Sequence, residues 1–199
     1  LPTSQAELDR ARVAAQRWLQ TFRFEQGSNL IVSFSNEEAA HAMPFERAVV
    51  SLGLVSCSCE VTETEGRRVE MILRRLGAVG GAVFSDALIE GLAEVGKTPG
   101  DLFQNIVLWL RPPAYRMLSR LPGLTTRRWI DVGPAMAFEC SEGAGAHIDR
   151  FEWEVETDET DHVILTSRLP RATNFASWQS DVRAIIDHSP CRCGNADPR

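Results

Sequence analysis

After the turn Leu121-Pro122-Gly123-Leu124 the hydrophobic period of this chain changes, and that change limits the folds open to it. Upstream, apolar residues recur at helical spacing: Leu8, Ala11, Ala15, Trp18, Leu19 and Phe22 first, then Val69, Ile72, Leu73 and Leu76. Downstream, "RRWIDVGPAMAFEC", "RFEWEVET" and "DHVILTSRL" read as strands, the second alternating Phe151, Trp153 and Val155 with Glu152, Glu154 and Glu156. Side chains return to one face every 3.6 residues on a helix and every two on a strand, so one stretch cannot serve as both. The order of the two regimes predicts an α+β fold, a helical layer followed by a small antiparallel sheet. Polar "DETD" between the last two strands suits a hairpin.

Local signals fill in this outline. Ser4 caps a helix over 4–22, "NLIVSFS" reads as a buried strand, and Ser35 with Glu38 fits a capping box opening "NEEAAHAM". Pro44 divides that helix from "FERAVVSLG". In "LVSCSCEVTE" the alternation places Cys57 and Cys59 on one face of a half-buried strand. Further helices are expected near 83–95, 100–111 and 114–120, the second started by Thr98, Pro99 and Asp101 and stopped by Pro112-Pro113. A last helix near 175–187 carries Phe175, Trp178, Val182, Ile185 and Ile186. The resulting division is an N-terminal helix and strand region, 1–65, a core region, 66–188, and a mobile tail, 189–199. Gly77, Gly80 and Gly81 fall in a stretch that otherwise reads as helix, where each costs about 1 kcal/mol relative to alanine and calls for close packing.

Composition excludes some functions. With 199 residues and a net charge of −6, the chain lacks the basic footprint that nucleic acid requires. No apolar run approaches the ~18 residues of a membrane span, and residues 1–20 are amphipathic and charged, unlike a signal peptide. A cytoplasmic location is the expectation, with the five cysteines as thiols or metal ligands.

The chemistry-bearing residues leave several readings open. Cys191-x-Cys193 with His188, together with Cys57-x-Cys59, offers thiolates and imidazole to zinc, although structural zinc sites favour C-x2-4-C spacing. The opposing reading makes Cys57 and Cys59 core residues and Cys191 and Cys193 tail thiols. Cys140 would serve as a nucleophile, in a hydrolase or lyase, only with His147 beside it. His41, His147, His162 and His188 never fall at i,i+4, and the acidic groups Glu37-Glu38 and Asp158-Glu159-Asp161 fit a solvated face. "GAVGGA" lacks the order of glycines and the Lys-Ser/Thr of a phosphate loop. Trp and Arg, the residues most enriched at interaction hot spots, single out Trp109, Arg111, Arg127, Arg128 and Trp129 as a candidate partner- and peptide-binding set, against the reading in which Phe84, Phe103, Trp109 and Tyr115 fill the core.

"GGAVF", then "LFQNIVLWL", then "TRRWIDVGPAMAFEC", spanning about 73–140, resembles the MbnC/TglI-like partner subunits of multinuclear non-haem iron oxidases in ribosomal peptide natural-product biosynthesis. The resemblance implies a winged-helix-like, RiPP-recognition-element-like domain with no catalytic residue, metal or cofactor of its own. It also implies a heterodimer with a TIM-barrel oxidase that holds the iron and modifies cysteine in a precursor peptide. A stand-alone small-molecule or zinc-binding sensor is the alternative that the cysteines leave open.

Overall fold

The computed structural model describes residues 2–35, 38–84 and 86–199. Helix α1 (Gln5–Gln20) opens at Ser4, whose hydroxyl accepts from the Glu7 N–H while the Glu7 carboxylate accepts from the Ser4 N–H. Two of the donors that every helix start leaves unpaired are thereby satisfied. There follow β1 (Asn29–Ser33), α2 (Ala39–Ser51), β2 (Val55–Cys59), a 3-10 turn (Glu63–Glu65), α3 (Gly66–Leu76), β3 (Ala78–Phe84), α4 (Asp86–Glu94) and α5 (Pro99–Leu102). The chain continues through β4 (Val107–Leu110), α6 (Pro112–Leu118), β5 (Thr125–Val132), β6 (Ala135–Glu139), β7 (Ala146–His147), β8 (Trp153–Thr157), β9 (His162–Ser167) and β10 (Trp178–Arg183).

These elements form an α+β fold whose main sheet is larger than the sequence suggests. Seven strands run in the order β2-β1-β3-β4-β5-β6-β7, and a second sheet holds β10-β9-β8. Strands β1 to β5 are mutually parallel, and β6 and β7 continue the sheet antiparallel. Alternate residues of the parallel strands feed opposite faces. Leu30, Val32 and Trp109 pack with Ala15, Trp18, Phe45 and Val49 of α1 and α2. Ile31, Leu108 and Leu110 pack with Val69, Ile72, Leu88, Leu92 and Leu118 of α3, α4 and α6. A third cluster joins Val132 and Ala137 of the large sheet to Trp153, Val155, Val163 and Leu165 of the small one.

Several expectations are corrected here. "GAVGGAVF" is a central strand, with Gly80 opposite Leu30 on one side and Val107 on the other. A Cβ on Gly80 would lie 2.9 Å from the Val107 carbonyl oxygen and 3.1 Å from the Trp109 ring, so this glycine makes room for the indole. The expected helix over 100–111 is a single turn followed by strand β4, whose Leu108, Trp109 and Leu110 are all buried. A strand covered on both faces is apolar throughout, and periodicity cannot separate it from a buried helix. Pro44 does not divide α2, which runs through it. The lost N–H bond is outweighed by burial of Ala42, Phe45, Ala48 and Val49. The expected last helix is strand β10, paired with β9.

The boundary at residue 65 has no counterpart in the sheet, where β1 lies between β2 and β3. The tail packs back on the sheet: Asp187 and Arg199 exchange both backbone hydrogen bonds, and the Ile148 N–H donates to the Pro198 carbonyl. The expected β8–β9 hairpin is present, with Asp158 accepting from the Thr160 and His162 N–H groups at its turn. Glu37, half of one acidic pair, lies outside the described residues.

The tightest approach of a glycine to backbone joins α4 to the 3-10 turn, where a Cβ on Gly91 would sit 2.0 Å from the Glu63 carbonyl oxygen. Gly91→Ala is expected to destabilise the fold by about 1–3 kcal/mol through overpacking. Gly100→Ala, whose new methyl would meet only Thr98 Oγ at 3.8 Å, is expected to leave the melting temperature nearly unchanged. Equal melting curves for the two variants would contradict the close-approach account.

Candidate metal centre

Strand β6 ends at Glu139, and Cys140 leaves it fully buried. Arg127 of β5 fixes this exit, because its Nε–H donates to the Cys140 carbonyl at 2.9 Å and its Nη1 donates to the Thr126 carbonyl at 2.8 Å. Arg128 closes on the buried Glu139 carboxylate with its Nε, Nη2 and backbone N–H. Seven residues after Cys140, β7 returns antiparallel to β6 and presents the buried His147. The tail folds back over both residues. Cys191 is buried, the 191–194 turn closes through a Gly194 N–H to Cys191 carbonyl bond of 3.0 Å, and Gly194 takes the left-handed φ of +87°.

Cys140, His147, Cys191 and Cys193 therefore bring one ligand atom each into a group whose members all lie within 4.8 Å of one another. Cys140 Sγ is 3.8 Å from Cys191 Sγ, and Cys193 Sγ is 3.7 Å from His147 Nε2. A tetrahedral zinc ion with Zn–S bonds of about 2.3 Å has S···S edges of about 3.8 Å, so these separations suit a Cys3His ligand set. His147 Nδ1 lies 2.9 Å from the Asp197 carbonyl oxygen and donates to it, which leaves the Nε2 lone pair facing the thiols. That is the usual second partner of a metal-ligating imidazole. The Asn195 N–H donates to Cys193 Sγ at 3.4 Å, an interaction that favours thiolate.

Electrostatics point the same way. Burial pushes the Cys140 and Cys193 thiols up, while hydrogen bonds within the turn and from the Cys193 and Cys140 thiols hold Cys191 down, so the ionisation of one sulfur is favoured at the expense of the other two. A divalent cation among them reverses that balance. Burial lowers His147, which keeps the imidazole neutral and available as a ligand at neutral pH. A raised Cys140 is unsuited to the nucleophile considered from sequence, although the structure does set His147 beside it.

The other zinc arrangement weighed from sequence does not assemble. Cys57 and Cys59 lie on β2, at the opposite edge of the large sheet from β7, six strand intervals or about 28 Å away. They share a face against Ile31 and Val69, and burial raises Cys59 to about 11. His188 is exposed and outside the cluster. Of the candidate partner residues, Trp109 and Trp129 are core rings stacked or edge-on to Phe45 and Phe138. Arg127 and Arg128 brace the Cys140 strand end, and Arg111 pairs with Glu38. The five do not form one exposed surface.

A second feature follows from topology. The order β2-β1-β3-β4-β5 reverses direction between β1 and β3, and doubly wound sheets bind ligands outside the carboxyl ends of their strands at such a reversal. Ser35, Glu38 and Arg111 stand there, and the Arg111 Nε is buried without a hydrogen-bond partner among the described residues. Beside them, a cleft of about 540 Å³ is lined by Phe34, Ser35, Ser58, Glu60, Thr62 and Arg68.

No family model matches this sequence, and no curated protein matches it. Among solved structures, the chain is similar to 2-hydroxyisobutyryl-CoA ligase. Against an open conformation in complex with 2-HIB-AMP and CoA, the TM-score is 0.74 at 12% identity, covering 99% of this chain and 52% of the ligase chain. Against the postadenylation state in complex with R3-HIB-AMP, it is 0.74 at 12% identity, covering 99% and 47%. The state with 2-HIB-AMP and CoA set for thioester formation gives 0.72 at 13% identity, again covering 99% and 47%. The chain thus shares a fold with about half the length of the ligase chains it matches.

Proposed function

We propose that this chain is a zinc-structured lobe of acyl-CoA-ligase type that binds the nucleotide end of an activated acyl group at the carboxyl ends of its parallel strands. The observation that carries this reading is the likeness of the whole chain, 99% of it at a TM-score of 0.74, to a ligase crystallised with an acyl adenylate and CoA. A fold hosts many functions, so the support has to come also from the site. The β1/β3 reversal supplies it with the buried Arg111 Nε, and the adjoining cleft is of nucleotide size with Arg68, Ser35, Ser58 and Thr62 as polar groups.

Zinc in this reading is structural. Cys140, His147, Cys191 and Cys193 would hold it with all four positions filled, and what the ion supplies is a cross-link between the tail and the large sheet. The role of partner subunit to an iron oxidase acting on a precursor peptide rests on the resemblance over 73–140 alone. That stretch is built into the interior of the large sheet.

Metal analysis of the purified chain is expected to give one zinc per molecule, kept in Cys57→Ser/Cys59→Ser and lost in Cys191→Ser/Cys193→Ser. Loss should lower the melting temperature by roughly 10 °C. A metal-free protein of unchanged stability would contradict the structural role. For the ligand, calorimetric titration of the zinc-loaded protein with AMP is expected to show a single saturable site, weakened at least tenfold by Arg111→Ala. Absence of AMP binding would contradict the ligase-type reading.

A further inference from the structure

A second concavity of about 560 Å³ lies on the outer side of the metal cluster, between the end of α1 and the 191–197 turn. Arg17, Arg23, Arg150 and Arg192 line it, against only Glu142 and Asp197 as carboxylates. The chain as a whole carries −6, so the lining of the cleft is opposite in sign to the chain's net charge. Two of the four guanidiniums are committed or held in place. Arg17 binds Asp149 at 2.8 Å and Asp197 at 3.1 Å, while Arg150 lies over the exposed Phe151 ring at 4.9 Å and reaches Asp197 only at 3.8 Å.

Arg23 and Arg192 make no side-chain hydrogen bond or ion pair among the described residues. Both are exposed on one cleft in a chain with 27 acidic residues to pair with. Arg23 also sits at a φ of +53°, a conformation that costs a non-glycine residue about 1–2 kcal/mol and that here carries its side chain to the cleft. Arg192 stands between two of the clustered cysteines, so the same turn that shapes the metal centre presents it.

We propose that this cleft is a binding site for the polyphosphate group of a small molecule, with Arg23 and Arg192 as its principal contacts and Arg150 as a third. Planar guanidinium forks match phosphate oxygens two at a time. Three of them around one concavity provide for the several oxyanions of a diphosphate rather than for a single carboxylate. The cleft is separate from the one at the β1/β2 strand ends, and the proposal rests on the zinc reading only in that the cysteine turn places Arg192.

Calorimetric titration of the zinc-loaded protein with inorganic pyrophosphate at low ionic strength tests it. The expected result is one saturable site that weakens as salt is added, and that weakens at least tenfold, about 1.4 kcal/mol, in Arg23→Ala/Arg192→Ala. Arg23→Ala alone, outside the cysteine turn, should weaken it at least threefold with zinc content unchanged. Arg116→Ala/Arg120→Ala, on exposed arginines elsewhere, should leave it as it was. ATP and CoA run in parallel identify the source of the phosphates: tighter binding of either than of pyrophosphate, lost in the same double variant, supports the site. No saturable binding, binding indifferent to Arg23 and Arg192, or binding of an acidic peptide in preference to pyrophosphate would overturn it. A failure of AMP binding with pyrophosphate binding intact would remove the ligase-type reading and leave this site standing.

Discussion

Asp197, with 1% of its surface exposed, joins α1, the strand β7 and the tail. Its carboxylate accepts from Arg17 of α1 at 3.1 Å and from the Asn195 side chain at 3.1 Å, and its carbonyl accepts from His147. A buried carboxylate is costly unless it is paired, and removing one partner of a buried pair leaves the other charge uncompensated. The tail, α1 and β7 thus converge on one side chain and its own backbone, beside the Ile148–Pro198 bond and the Arg17–Asp149 pair. The rest of the small sheet hangs on the same helix: Arg10 pairs with Glu152, Arg171 bridges Glu152 and Glu7, and Arg171 also lies 4.3 Å from the Trp153 ring centroid.

This arrangement explains why the cysteines meet. The ten-residue stretch after Ser189, with little apolar content, has no hydrophobic reason to fold back on a sheet. It is held instead by Asp187–Arg199 backbone pairing, by Asp197 and by the Cys140/His147/Cys191/Cys193 cluster. A cross-link between residues so distant in sequence restricts the unfolded chain more than a local one does. The largest effect of metal would thus fall on the small sheet and the tail, and the parallel core, closed by α1 to α6, would feel it least.

How much of this was legible follows the physics of each element. Helix α1 was, since Ser4 and Glu7 form a complete cap and its apolar face meets one layer only. The β8–β9 hairpin was too, because one face is buried and the other wet, giving clean alternation at Trp153, Val155 and the glutamates. Strands β3 and β4 were not: covered on both sides, Leu108 to Leu110 show no period, and Gly80 against the Trp109 ring with Gly81 against the Phe84 ring mimic a defective helix. Of the candidate docking residues, Trp109 and Trp129 fill the aromatic core, while Arg127 and Arg128 brace the strand that delivers Cys140. The metal cluster hid because its halves, Cys140 with His147 and Cys191 with Cys193, lie far apart in sequence and neither half has the usual zinc spacing. Only the antiparallel return of β7 and the folded tail bring them together.

The account stands on the four clustered side chains acting as one ligand set. X-ray absorption at the zinc edge of the metal-loaded protein reads that set directly: three sulfur scatterers at about 2.3 Å and one nitrogen at about 2.0–2.1 Å are predicted. A first shell of oxygen and nitrogen alone, or a sulfur count that survives replacement of Cys140 and Cys191, would contradict it.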